Sequence, residues 1–188
     1  MLRNARMVPI LRASCYHRFF HRGIPTLGHR VTIHIRGHAR GGSDAWITEA
    51  YATYSDRLRT SGLDLVTIWH KTDDQLVGAV EKEKAPTICL DERGQSMSST
   101  NFSQKIFKKL EEGGSRLCFV IGGAEGLPGT LRPQMHAEQG RKRAKYQQAA
   151  EHLSLSPMTF THQMARVLLA EQLYRASEIT RGSKYHKV

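Results

Sequence analysis

The run RLCFVIGG, Arg116–Gly123, constrains the fold of this chain more than any other stretch. It is a short β-forming segment without alternation of apolar and polar residues, so both of its faces require cover. A strand covered on both faces belongs to the interior of a parallel sheet with helices above and below it. The glycines that end it, followed by Ala124, Glu125 and Gly126, place three glycines within five residues at its carboxyl end. Glycine there serves one of two needs. It allows a tight turn with positive φ, or it lets the main chain come into contact with a ligand.

The rest of the body alternates as such a sheet requires. VTIHIRG, from Val31, has a period of two and reads as a strand. SDAWITEAYATYSDRLRT reads as a helix, with Ser43 or Asp44 as N-cap and Trp46, Ile47, Ala50, Tyr51, Tyr54 and Leu58 on one face. LDLVTIWH is a second strand, and TDDQLVGAVEKEK a helix with acids early and lysines late, as its dipole prefers. APTICLDERG gives a strand ending near Asp91 and a turn at Gly94. NFSQKIFKKLEEGG is a helix that turns Phe102, Ile106 and Leu110 inward and stops at Gly113-Gly114. From Leu131 to Ala150 the chain is polar and basic, with the run GRKRAKYQQ. That stretch reads as an exposed, partly helical insertion, either touching RNA phosphates or simply a solvated charge run. LSLSPMTFTHQ is extended, and QMARVLLAEQLYRASEIT is the last helix, with Ala165, Leu168, Leu169, Leu173 and Ala176 on one face. Glu171 and Arg175 are spaced there as an i,i+4 pair in the favourable order. The sum is an α/β fold with a mainly parallel sheet. Its ligand site is expected beyond the carboxyl ends of the strands, where the LDERG and IGGAEG turns fall.

Charge narrows the partner. The net charge is +11 over 188 residues, which suits a polyanion. Part of that excess is local: six of the 28 basic residues lie within residues 1–30, the first acid is Asp44, and the remainder carries 22 bases against 17 acids. An arginine-rich, acid-free leader without a continuous apolar centre has the composition of a transit peptide for a mitochondrion or chloroplast. A basic arm that touches RNA is the alternative. Residues 31–188 then form a single domain. No apolar stretch approaches the ~18 residues that a membrane-spanning helix needs. Cys15, Cys89 and Cys118 are scattered, without the C-x-x-C spacing of a zinc or redox motif.

Motifs for nucleotides are absent: the chain has neither G-x-G-x-x-G nor G-x-x-x-x-G-K-[ST]. Ten histidines raise the question of a metal, but none forms a helical His pair beside a carboxylate, so no metal is expected. His162 stands where the SLSPMTFTH stretch meets the last helix. In the tail, Tyr185 and His186 lie beside Arg181, Lys184 and Lys187. Cations there suit phosphate, and an aromatic ring suits stacking on a base.

Three blocks carry a resemblance: LDERG at Leu90–Gly94, FVIGGAEGL at Phe119–Leu127, and LSLSPMTFTHQMARVLLAEQLYRASEITRGSKYHK at Leu153–Lys187. In this order and spacing, Val31 to Val188 resembles the bacterial RlmH family of large-subunit rRNA pseudouridine N3-methyltransferases, in the SPOUT superfamily. The resemblance implies a C-terminal trefoil knot and a homodimer. It implies S-adenosylmethionine as methyl donor and the large-subunit rRNA of a ribosome as partner, without metal or membrane. Leu90 matches the family's first loop, and Gly122 and Gly123 its glycine turn. Leu155, Ser156, Pro157, Met158, Thr159 and Phe160 match the loop that cradles the adenosine. Tyr185 and His186 match a tail that lines the active site, and Lys187 stands where some members have arginine. His186 is the first candidate for the base or its positioner, with His162 and Glu125 next, while Arg166, Lys184 and Lys187 are candidates for phosphate. The stretch from Leu127 to Leu153 is longer than in the bacterial proteins, and the basic leader is an addition that fits an organelle version. The rival reading is an RNA-binding ribosome assembly factor that keeps the fold and has lost catalysis; it predicts no tight binding of S-adenosylmethionine.

Overall fold

The computed structural model of the protein describes residues 28–39, 45–132 and 150–186. Among them, five strands form one sheet: β1 (His29–Arg36), β2 (Leu63–His70), β3 (Thr87–Gln95), β4 (Arg116–Ile121) and β5 (Glu151–Leu153). Their order is β2-β1-β4-β3-β5, and each pairing is parallel. Four helices join them: α1 (Ala45–Thr60), α2 (Asp73–Lys82), α3 (Ser99–Glu112) and α4 (His162–Thr180).

β4 occupies the centre of the sheet, as its unbroken apolar run requires, and Leu117–Ile121 are all buried. Leu117, Phe119 and Ile121 point into a layer shared with Leu58 of α1, Phe102, Ile106 and Leu110 of α3, and Leu169 and Leu173 of α4. Cys118 and Val120 point the other way, under Leu76 and Val80 of α2 and with Leu127 and Leu131. Each large side chain buried this completely contributes about 1.5–3 kcal/mol. β1 follows the same alternation: Val31, Ile33 and Ile35 join the first layer, while His34 lies on the α2 side. There His34 Nδ1 meets His70 Nε2 at 2.9 Å, and His34 Nε2 meets the Glu83 carboxylate at 3.2 Å.

Hydroxyl caps start three of the helices. Thr72, Ser98 and Thr161 each accept from the main-chain N–H three residues on, at Gln75, Asn101 and Met164. The cap of α1 expected at Ser43 or Asp44 lies outside the described residues, as do the leader up to residue 27, the basic run Arg141–Lys145 and Lys187. The trefoil knot depends on the path of residues 133–149, which are outside them too. β1 begins at His29, slightly before the expected start of the body at Val31.

Several local expectations are corrected. β3 does not end near Asp91 but resumes at Gln95, because Leu90 and Gln95 both face Leu153 across an irregularity and Ser154 N donates to Gln95 O at 3.1 Å. Strand pairing of the next segment stops at Leu153, and the expected extended stretch LSLSPMTFTHQ runs on from Ser154 to Thr161 as a bent loop. Trp46 does not join the inner face of α1 and is 59% exposed. It lies roughly 100° around the helix from Ile47, at the margin of the Ile47–Tyr54–Leu58 stripe. On α4 the stripe is centred on Leu169, Leu173 and Ala176, all buried, and Leu168 falls at its edge.

Candidate functional site

The irregular second half of β3 and the loops that leave the carboxyl ends of β4 and β5 lie side by side, and a cleft of about 740 Å³ lies between them. Its floor is apolar, from Leu90, Ile121, Leu127, Leu155 and Ala165. Its rim is polar, from Asp91, Glu92, Arg93, Glu125, Arg132, Ser156 and Thr159. Met158 and Phe160 also line it and leave 71% and 37% of their surface exposed, an apolar mouth on an otherwise polar edge.

The glycine turn is tightly closed. Gly123 and Gly126 exchange main-chain hydrogen bonds of 3.2 and 3.1 Å, and Gly126 sits at φ +79°. A Cβ on Gly122 would lie 2.2 Å from the carbonyl carbon of Gly126, so no side chain fits there. The first demand on Gly122 is thus internal: it lets the turn fold back on itself, and the compact turn then forms one wall of the cleft. Arg132 locks that wall, its Nε donating to the Leu127 carbonyl and its Nη2 to that of Glu125, both at 2.6 Å. The facing loop is tied similarly. Ser154 Oγ donates to Ser156 O at 2.9 Å, and Thr159 Oγ1 donates to the Glu92 carboxylate at 2.8 Å, joining the loop after β5 to β3.

Of the residues singled out in the sequence, Leu90, Gly122, Gly123, Leu155, Ser156, Met158, Thr159, Phe160 and His162 line this cleft together, and Pro157 sits in the same loop. His162 opens α4 with its ring edge-on to Trp69, centroids 6.1 Å apart. Burial, and then the nearby Arg166 charge, lower its pKa below the ordinary histidine value, so it is neutral at neutral pH. Arg166 is 8% exposed, its guanidinium 4.2 Å from the Tyr51 ring and 5.1 Å from that of Trp69. Among the described residues its Nε has no hydrogen-bond partner. Lys184 is exposed.

Tyr185 and His186 lie elsewhere. The Tyr185 hydroxyl donates to the Glu171 carboxylate at 3.3 Å, and its ring packs edge-on against Tyr174 at 4.9 Å. Glu171 stands nine residues beyond His162 on α4, which is about 13 Å along the helix axis. Within one chain the tail therefore does not share the cleft. Burial, and then Glu171, push the Tyr185 phenol up to about 12, so it stays protonated. Arg132 and Glu92 were not singled out from the sequence. The signal for Arg132 is a cation shortly after a glycine-rich turn whose carbonyls need donors.

Among the described residues no group of three or more His, Cys, Asp and Glu side chains is placed to hold a metal. None of the helices among them is long and apolar enough to cross a membrane.

Residues 31–186 match the family described as "Predicted SPOUT methyltransferase". The chain is 40% identical over 144 residues to the "Ribosomal RNA large subunit methyltransferase H" of Protochlamydia amoebophila, covering 77% of this chain and 91% of that protein. The protein of the same name from Dinoroseobacter shibae is 36% identical over 169 residues, 85% of this chain and 99% of its own length. That from Parasynechococcus marenigrum is 36% identical over 146 residues, 76% and 88% of the two chains.

Proposed function

Because this chain belongs to the SPOUT methyltransferase family, we propose that it methylates N3 of a pseudouridine in large-subunit ribosomal RNA, with S-adenosylmethionine as donor. The observation that carries this reading is the meeting of the LDERG, IGGAEG and LSLSPMTF segments around one cleft at the carboxyl ends of adjacent parallel strands. The cleft fits the donor in kind. Its apolar floor suits an adenine ring, its main-chain rim suits the ribose and amino acid polar groups, and Asp91, Glu92 and Glu125 suit a cationic sulfur and an ammonium.

When bound, S-adenosylmethionine supplies a methyl made electrophilic by its sulfonium, so no metal is needed. The chain's own task is alignment. Leu90, Gly122–Gly126 and Leu155–Phe160 would hold the donor; Arg132 keeps the glycine turn closed, and Thr159 ties the loop after β5 to Glu92 of β3. Positioning of this kind supplies roughly 7–11 kcal/mol of a barrier.

Since Tyr185 and His186 pack against the Glu171–Arg175 segment of α4, which starts about 9 Å along the helix beyond Ala165 of their own cleft, they serve the cleft of a second copy in a homodimer. Phosphate contacts fall to the exposed Lys184 and to Lys187. With a moderate charge on its body, the protein acts on an assembled ribosome that presents a shaped surface, and its basic leader directs it to a mitochondrion or chloroplast.

The test has two arms. Calorimetry with S-adenosylmethionine is expected to show one tight site, and its absence would favour an RNA-binding assembly factor without catalysis. Mapping of N3-methylpseudouridine in organellar large-subunit rRNA, with and without this protein, is expected to show one position that depends on it. Persistence of the mark without the protein would reject the substrate.

A further inference from the structure

The Glu171 carboxylate accepts four hydrogen bonds: from Arg175 Nε at 3.1 Å, Arg175 Nη2 at 2.6 Å, Gln172 Nε2 at 2.6 Å and the Tyr185 hydroxyl at 3.3 Å. Arg175 is thereby fixed with its guanidinium 4.9 Å from the Tyr185 ring and its Nη1 3.5 Å from His186 Nδ1. A guanidinium only donates hydrogen bonds. The imidazole nitrogen that faces it must present a lone pair, and neutral His186 then carries its proton on Nε2. A nitrogen that already holds a proton cannot take another, but it can donate a hydrogen bond.

We infer that His186 serves methylation as a hydrogen-bond donor to an imide carbonyl oxygen of the pseudouridine, not as the base for its N3 proton. Arg175, pinned by Glu171, is the positioning residue that sets this tautomer. The inference rests on the tail's part in the reaction proposed above. In the balanced step, N3–H gives its proton to water or hydroxide, and the negative charge spreads onto the two flanking carbonyl oxygens. The N3 electron pair then forms the N–CH₃ bond as the S–CH₃ bond breaks, and that bonding pair remains on sulfur as a neutral thioether. An Nε2–H placed on a carbonyl oxygen stabilises the anion before the methyl arrives.

Within its own chain the tail's neighbours offer no substitute base. The charged and titratable side chains around the tail are Glu171, Tyr174 and Arg175 of α4, Tyr54 and Arg57 of α1, and Lys184 and Tyr185. Among these described residues Glu171 is the one carboxylate, and it is engaged by Arg175, Gln172 and Tyr185. The Tyr185 phenol, pushed up to about 12, keeps its proton.

The experiment reads the tautomer first and activity second. Nitrogen-15 NMR of the histidine-labelled full chain in alkaline buffer is expected to show His186 with Nε2 protonated and Nδ1 bare, and Arg175→Met is expected to mix the two tautomers. Single-turnover methylation is measured on bacterial ribosomes that lack the modification. The logarithm of the wild-type rate is expected to rise with pH from roughly 6 to 9 without a plateau set by an imidazole. His186→Gln, which keeps a donor near Nε2, is expected within about tenfold of wild type, and His186→Ala about 10²–10³-fold down. Calorimetry with S-adenosylmethionine checks that each variant is folded. Equal losses in the Gln and Ala variants together with an imidazole plateau would overturn the inference, as would a bare Nε2. A His186→Ala protein that binds the donor and turns over at the wild-type rate would instead take the tail out of the reaction, and the reading beneath the inference would fail with it.

Discussion

The cleft and the tail are built from opposite materials. The cleft is mostly main chain: the irregular half of β3, the loops after β4 and β5 with their glycine turn, and polar side chains such as Arg132 and Thr159 that bind other parts of the same wall. The tail cluster is made of side chains, with Glu171 and Arg175 on one rigid helix gripping Tyr185 and His186. A pocket of main chain is intolerant of added bulk and indifferent to many side-chain changes. A side-chain cluster behaves in the reverse way, since one lost charge or donor breaks it while its backbone stays put. Donor binding and the chemical step are therefore separable by mutation.

The largest effect is expected where the cleft has no room. In Gly122→Val, the new Cβ would lie 2.2 Å from Gly126 C and 2.5 Å from Leu127 N, both main-chain atoms. Such overpacking is expected to cost about 3 kcal/mol or more of stability in denaturant melts and to remove measurable binding of S-adenosylmethionine. An affinity near wild type would mean that the turn is not the donor's wall. The next effect belongs to the tail. Glu171→Gln keeps the shape but removes the charge that holds Arg175, so the methyl-transfer step is expected to slow by roughly 5–30-fold, equivalent to about 1–2 kcal/mol. Calorimetry should find donor affinity unchanged; a parallel loss of affinity would erase the distinction between the regions. Arg132→Met sharpens it from the other side. Losing two hydrogen bonds to carbonyls at the surface of the cleft is expected to weaken donor binding about fivefold, with turnover at saturation intact.

How far each region could be read in the sequence follows from the same difference in materials. The apolar run Leu117–Ile121 placed β4 at the centre of the sheet, because such a strand has few other homes. Glycine content marked the turn, although local chemistry left its purpose open, and only the contact between Gly122 and Gly126 shows how it closes. Arg132 was not legible, because its partners are main-chain carbonyls, which carry no residue signal. Arg166 reads as a phosphate ligand by type, yet it lies three residues before Leu169 and seven before Leu173, on the inward stripe of α4. That period turns it inward, and the fold sets it among Tyr51 and Trp69. The pair Glu171 and Arg175 was evident from its spacing, but its grip on the tail was not, since that needs the chain to turn back after Thr180.

The smallest effect separates the regions by their response to acid. His162 in the cleft and His70 at the carboxyl end of β2 both have a pKa lowered by burial, helped by Arg166 in one case and His34 in the other. Each is neutral in the fold and free to charge in the unfolded chain, so the unfolded state binds more protons below about 6.5. The stability they contribute is complete above that value and is lost as pH falls through their lower folded values. The tail's Tyr185 is shifted upward instead and does not titrate in this window. Thermal melts at mildly acidic and mildly alkaline pH are thus expected to show a lower midpoint on the acid side. His162→Gln should reduce that dependence and leave the share of His70, because glutamine has no charge to gain. Hydrogen exchange in the acid sample should rise at the cleft loops before it rises at the C-terminal half of α4. Identical pH dependence in the two proteins would mean that His162 charges as easily in the fold as in the open chain, and the cleft would then owe nothing to a neutral imidazole at its edge.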